Sequence, residues 1–343
     1  MAVRSVPARS GRGRAAAAAL TAALLLGACA GGDPATTTTD TASAGAATPA
    51  PERDDSTNPV IADDFPDPDL LEVDGVYYAY ATEGNLRNVR VARSADLVDW
   101  EVLPDALPDL PTWVIPGKTW APEVTEIAPG QYAMYFTATN FRPTVQCIGA
   151  ATATSPEGPF TVVGAGMLVC PAEEGGAIDA STFLDVDGTR YLLWKNDGNC
   201  CDLDTWLQIA PLAPDGLTLA GPATRLVKQD QAWEGHLVEA PTLVLRGGVY
   251  TLLYSANDYG GDRYAVGYAT ASSVLGPYTK AAEPLLTTAD LPDYVGPGGQ
   301  DVVTGPDGQD RIVFHSWYGD TTYRAMNVLP VSWEGGRPSV AVD

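Results

Sequence analysis

A chain of 343 residues with 45% hydrophobic content has room for one large domain or two ordinary ones. Its formal net charge of −23 repels phosphate backbones and anionic lipid headgroups, which excludes nucleic acid as a partner and leaves neutral ligands largely unaffected. The first 28 residues hold Arg4, Arg9, Arg12, Arg14 and no acid, so the remainder is more acidic still.

In chain order the first element is an export signal. The four Arg precede an apolar run at 15–26 that is too short to span a bilayer and has the length of a signal-peptide core. Leu26-Gly27-Ala28-Cys29 follows and resembles a bacterial lipobox, in which Cys29 takes lipid and becomes the mature N-terminus; the plainer alternative is an ordinary cleavage site. Residues 1–28 are therefore expected to be a lipoprotein signal peptide. Residues 29–57, rich in Ala, Thr, Gly, Ser and Pro, read as a disordered tether. On this reading the chain is exported, anchored on the outer face of a bacterial membrane or secreted, and touches membrane only through the lipid at Cys29. Cys147, Cys170, Cys200 and Cys201 remain and allow three pairings. Cys147–Cys170 is favoured, with Cys200–Cys201 either a vicinal bridge or free. No CxxC pair or His cluster points to zinc.

From 58 to 343 a turn signal followed by an aromatic, β-prone run recurs five times. The marker glycines are Gly75, Gly130, Gly188, Gly248 and Gly308, at spacings of 55, 58, 60 and 60 residues, each supplying the positive φ of a hairpin turn. Residues 151–160 and 269–278 repeat a second element, and 96–100 hold its place in the first unit. Each unit has room for four short strands, and no segment has a long amphipathic helical pattern. The expected fold is all-β, a five-bladed β-propeller.

An acid stands seven to nine residues before each marker glycine: Asp67, Glu123, Asp179, Glu239 and Asp301. Each opens the strand that would line the axis of a propeller, so the five are expected to converge. Carboxylates brought together must differ in pKa, and such splitting can assign one as acid and another as base. A single acid at a strand start more often caps a turn. Glu123 and Asp301, with nothing but register behind them, are the best candidates for a purely structural part.

The motifs around these acids resemble family 43 glycoside hydrolases. They are Asn58-Pro59, Phe65-Pro66-Asp67-Pro68, Trp120-Ala121-Pro122-Glu123, Ile178-Asp179-Ala180-Ser181 and Glu239-Ala240-Pro241, in order and in successive repeats. The resemblance covers the chain from Asn58 and implies a five-bladed propeller that cleaves glycosidic bonds with inversion. It implies Asp67 as general base, Glu239 as general acid and Asp179 as the residue that tunes and positions the acid. Many members carry Gly-x-Gly-His in the fifth blade, whose His helps hold a metal in the axial channel. Here the stretch is Gly296-Pro297-Gly298-Gly299-Gln300, so Gly299 stands at the His position and Gln300 follows it. No metal ligand is assigned; calcium in the axial channel is allowed but not required, and no cofactor is needed. Candidate sugar-binding residues are Phe65 and Trp120 by ring stacking, Gln300 as a stand-in for the His, His236 at the rim and His315 facing the axis, although a lone His is more often structural.

The resemblance makes an oligo- or polysaccharide the substrate and a monomer the expected state. Release of α-L-arabinofuranosyl units from arabinan or arabinoxylan is favoured, with β-xylosidase or endo-arabinanase action close behind. The other readings are a non-catalytic sugar-binding lipoprotein and an invertase-like enzyme that retains configuration on fructosides.

Overall fold

The computed structural model describes residues 58–164 and 166–341. The expected signal peptide, the tether and Cys29 lie outside the described residues. The described chain forms five four-stranded antiparallel sheets arranged as a five-bladed β-propeller. Blade 1 holds β1 (Asp69–Val73), β2 (Val76–Ala81), β3 (Arg90–Ser94) and β4 (Glu101–Val102). Blade 2 holds β5 (Val114–Ala128), β6 (Gln131–Asn140), β7 (Gln146–Ala153) and β8 (Thr161–Val162). Blade 3 holds β9 (Ala177–Leu184), β10 (Arg190–Asn196), β11 (Trp206–Pro211) and β12 (Thr224–Lys228). Blade 4 holds β13 (Val238–Arg246), β14 (Val249–Ala256), β15 (Ala265–Ala271) and β16 (Thr279–Lys280). Blade 5 holds β17 (Val295–Thr304), β18 (Asp310–Tyr318), β19 (Tyr323–Glu334) and β20 (Arg337–Val340). The first strand of each blade is innermost, and β1, β5, β9, β13 and β17 abut one another in a closed ring. All five marker glycines have positive φ, between 67° and 86°, with open space where a Cβ would stand, so conformation and not room selects glycine there.

Side chains alternate between the two faces of a strand, so neighbouring residues serve different seams. Ala79 packs into the blade 5–blade 1 cluster and Tyr80 into the blade 1–blade 2 cluster. Met134 and Tyr135, Leu192 and Leu193, Leu252 and Leu253, and Ile312 and Val313 divide in the same way around the ring. Each blade is thus buried on both faces, which explains second strands as apolar as Val249–Ala256. The ring closes through the N-terminal stretch. Strand β20 covers the edge of β19 only at 331–334. Residues 58–65 take the edge before it: Val60 N–H donates to Met326 O at 2.9 Å, Phe65 N–H to Arg324 O at 2.7 Å, and the Asn58 amide bonds both N–H and O of Val328. The favoured Cys147–Cys170 disulfide is present and ties β7 to the segment leading into β9; Cys200 and Cys201 are also bridged.

The acids do not share one structural position. The equivalent residue of each blade is marked by left-handed backbone: Asp67 (φ 55°), Ala121 (38°), Asp179 (57°), Ala240 (50°) and Gly299 (58°). The last four fall in bulges where the ladder to the second strand skips, and Asp67 stands just ahead of β1. Glu239 lies one residue before this position, Glu123 and Asp301 two residues after it. Their level also holds Asp69, Ser181 and Thr242. A two-residue step moves a side chain by about 7 Å along the strand. The expected convergence of five acids therefore resolves into two tiers.

Both tiers stitch the seams. Seven residues beyond each marker glycine stand Thr82, Thr137, Lys195, Ser255 and His315. Four of these accept the N–H of the left-handed residue in the next blade: Thr82 Oγ1 from Ala121 (2.9 Å), Thr137 Oγ1 from Asp179 (3.1 Å), Ser255 Oγ from Gly299 (2.9 Å) and His315 Nδ1 from Asp67 (3.1 Å). Ala240 differs, its N–H going to Asp179 Oδ2 at 2.9 Å. In the deeper tier Asp69 accepts from Val124 N, Glu123 from Thr182 N and Asp301 from Leu70 N, all at 2.8 Å, and Thr242 Oγ1 donates to Gln300 O at 2.7 Å.

Burial, and then the Glu123 charge, push the Asp301 carboxyl up to about 7. A folded pKa raised above the unfolded value of about 3.9 gives stability that is full below that value and lost as pH rises through 7. Melting temperature should therefore fall between about pH 4 and 7. Asp301→Asn, which keeps an accepting oxygen and cannot ionise, should flatten that fall in a pH series of thermal melts. Glu123→Ala strands Thr182 N–H and should cost about 1–3 kcal/mol in urea unfolding, with Glu123→Gln costing less.

Candidate active site

One cleft opens over the axis, lined by the triplets Asp67-Pro68-Asp69, Ala121-Pro122-Glu123, Asp179-Ala180-Ser181, Ala240-Pro241-Thr242 and Gly299-Gln300-Asp301. Asp67 and Asp179 line it, and Glu239 stands one residue ahead of the lining residue Ala240. Asp179 feels the charges of Glu239 and Asp67, and the buried Tyr264 feels all three carboxylates.

Asp67 is held from three sides. Thr82 Oγ1 donates to its Oδ2 at 2.7 Å, Arg324 Nη1 lies 3.5 Å from its Oδ1, and its own N–H is fixed by His315. Burial alone would push its carboxyl up, but Arg324, then His315 and the Thr82 hydroxyl, together outweigh burial and hold it below the usual carboxylate range. The His315 ring is fully buried and stacked on Tyr264, with centroids 5.8 Å apart. Burial first, then Arg324, bring its pKa down to about 3, so at neutral pH it is uncharged and accepts the Asp67 N–H at Nδ1. Accepting at Nδ1 puts the proton on Nε2, which is buried with no partner among the described residues.

Asp179 behaves in the opposite way. Burial first, then the Glu239 charge, push it up to about 8, against the pull of Lys195 and the Ala240 N–H. Glu239 Oε1 accepts from the Tyr264 hydroxyl at 2.8 Å, and its Oε2 lies 3.1 Å from Lys195 Nζ, which also meets Asp197 at 3.4 Å. The ammonium is 1% exposed. Burial would lower the Lys195 pKa, but Glu239, Asp179 and Asp197 more than offset this and raise it. Asp179 therefore keeps its proton through neutral pH beside the Glu239 charge. The arrangement can ionise one carboxylate and hold a proton on the group across from it, which is the requirement for paired acid and base chemistry.

The other candidates fall out differently. Phe65 is 2% exposed and packs with Ile61, Leu70 and Met326, so its ring fills the core and offers no face to a sugar. Gln300 is also no free substitute for a histidine: its Oε1 accepts from Ser255 at 2.7 Å and its Nε2 donates to Ala240 O at 2.7 Å, clamping blade 4 to blade 5. His315 reaches the axis side as expected, but as the buried prop of Asp67. Trp120 is partly exposed on β5, one residue before Ala121, with Lys118 Nζ 5.9 Å from its ring. His236 is exposed on the turn leading into β13. No side chain fits at 299, since a Cβ there would stand 2.6 Å from His315 Nδ1 and 2.9 Å from Asp67 Oδ1. Calcium seeks about six to eight oxygen ligands. Among the described residues no three or more His, Cys, Asp or Glu are arranged to hold a metal, and His315 presents a donor. No step below uses the ion.

Sequence reading missed Lys195, Tyr264 and Arg324. Lys195 had a signal, being the one cation in a series of otherwise hydrogen-bond acceptors at marker plus seven. Arg324 and Tyr264 lie in stretches with no repeated motif. Arg324 sits between Tyr259 and Trp317, 5.0 and 5.7 Å from their rings, which fixes the guanidinium toward Asp67. Arg324→Gln should raise the Asp67 pKa, read by carboxyl-carbon NMR titration; an unmoved titration would remove Arg324 as the cause of the depression.

A family model described as glycosyl hydrolases family 43 matches residues 56–338. A beta-D-galactofuranosidase, xynD of Aspergillus niger, is 29% identical over 79% of this chain and 79% of its own. Extracellular endo-alpha-(1->5)-L-arabinanase 1 of Bacillus subtilis is 27% identical over 80% of this chain and 86% of its own. The crystal structure of a thermostable family-43 glycoside hydrolase superposes with a TM-score of 0.73 at 29% identity, covering 83% of this chain and 96% of that one.

Proposed function

The chain belongs to glycosyl hydrolase family 43 and is a glycoside hydrolase, and from that premise we propose that it inverts configuration at furanosidic linkages of plant cell-wall pentosans, releasing α-L-arabinofuranosyl units from arabinan or arabinoxylan. One observation carries the catalytic assignment: Asp67, held low by Arg324 against burial, and Asp179, pushed up to about 8 by burial and the Glu239 charge, line a single cleft. Asp67 is the general base that takes a proton from the attacking water. Glu239 is the general acid that protonates the leaving oxygen, steadied by the Tyr264 hydroxyl. Asp179 keeps the proton available through its mutual repulsion with Glu239, and its Oδ2, held by Ala240 N–H, fixes the distance between the two. Trp120, partly exposed, and His236, exposed, are the side chains proposed to meet the sugar chain. The furanose ring is common to the substrates named for the Aspergillus and Bacillus relatives, which supports a furanoside over a xylopyranoside. Export, lipid anchoring at Cys29 and a monomeric state complete the proposal; the extracellular Bacillus relative supports export.

The purified domain should release the aryl group from α-L-arabinofuranosides faster than from β-xylosides or β-galactofuranosides. A preference for either of the latter would replace the substrate assignment. NMR of the first-formed sugar should show inversion, the outcome for carboxyls about 6.5–9.5 Å apart, and net retention would remove it. Glu239→Gln should slow poor leaving groups by about 10²–10⁴-fold and good ones far less, while Asp67→Asn should slow all of them.

A further inference from the structure

Four of the five marker-plus-seven residues are acceptors that hold the next blade's left-handed residue; in blade 3 that residue is Lys195, whose ammonium has no lone pair to offer. Two departures occur at this seam and at no other. Ala240 N–H, left without its usual acceptor, is taken by the carboxylate of Asp179. The Lys195 ammonium turns instead to Glu239 Oε2. Both acids of the proposed acid pair are thus oriented by one exchange of residue type. We propose that Lys195 is a positioning residue for the acid–base reaction, which locks the Glu239 carboxyl toward the leaving group and, by refusing the seam hydrogen bond, draws Asp179 into place beside it. The proposal rests on the assignment of Glu239 as general acid.

The cation does not sit there for stability of the seam, since a hydroxyl serves that purpose at three other seams. It is buried at 1% exposure, and Asp197 on the following turn and Glu239 on β13 are its two ion-pair partners. The charged and titratable groups facing Glu239 are Lys195 from β10, Asp179 from β9 and Tyr264 ahead of β15. Asp67 faces Asp179 from the far side of the cleft.

The test compares Lys195→Met, which keeps bulk without charge, Lys195→Thr, which restores the hydroxyl of the other seams, and Lys195→Arg, on a series of aryl α-L-arabinofuranosides. Thr guards against a Met variant that fails to fold. Expected for Met and Thr are kcat losses of about 10- to 100-fold on poor leaving groups with KM changed less than about twofold. The basic limb of the kcat/KM profile should move to higher pH, because losing the cation removes the charge that pulls Asp179 down. Arg should keep the limb near its wild-type position. An unchanged limb with equal losses on all leaving groups would mean a structural role only and overturn the proposal, as would unchanged kinetics. Glu239→Gln run alongside separates the two levels. If it shows leaving-group dependence and the Lys195 variants do not, this proposal alone falls; if it shows none, the acid assignment falls and takes this proposal with it.

Discussion

Five backbone N–H groups, one where each inner strand bends into the axis, have no partner in their own sheet, and the geometry of the molecule follows from how each is satisfied. An unmade hydrogen bond at such a place costs about 1–3 kcal/mol, so an acceptor must arrive from somewhere. In four blades it arrives across the seam from the second strand of the preceding blade or, for Thr82, from the residue just past it. The left-handed turn that creates the need also aims the side chain of the turn residue into the cleft. Seam cohesion and site construction are thus one arrangement. The same backbone feature that carries Asp67 and Asp179 carries Ala121, Ala240 and Gly299 in the blades that contribute no carboxylate there.

The electrostatics follow from this frame by small changes of side chain. His315 and Thr82 satisfy the Asp67 backbone and carboxylate, and Arg324 lies near enough to keep that carboxylate charged. On the other side of the cleft burial and mutual repulsion dominate, and a proton stays. A deeper ring of Asp69, Glu123 and Asp301 repeats the stitching, and each of the three is pushed upward in pKa, burial outweighing the pull of Arg190 on Glu123. Their work is to join blades, and it is done best while protons remain among them.

The propeller was legible because a hairpin glycine and the aromatic run behind it recur at nearly constant spacing, and both are local requirements. The acids were legible as a group but not as a geometry. Counting back from the hairpin assumes an unbroken ladder, and bulges between Trp120 and Glu123, Glu239 and Thr242, and Gly298 and Asp301 change the count. Counting forward from the same glycines crosses no bulge before the seventh residue, which is why Thr82, Thr137, Lys195, Ser255 and His315 align without gaps. Phe65 looked like a ring beside a carboxylate, but its neighbours in the fold are the apolar residues of blades 5 and 1. Arg324 left no trace in any motif, because its partner Asp67 is distant in sequence and they meet only when the ring closes.

That closure lends the N-terminal stretch a further meaning. Residues 58–65 are the last piece needed to bring blade 5 against blade 1, and they end two residues short of Asp67. The carboxylate proposed as base is therefore seated by the same contacts that complete the circle. A chain caught with its circle open would lack that carboxylate's histidine, its arginine and its neighbours across the cleft all at once. Turnover is in this sense a receipt for finished folding: a chain that has not closed cannot begin to cut.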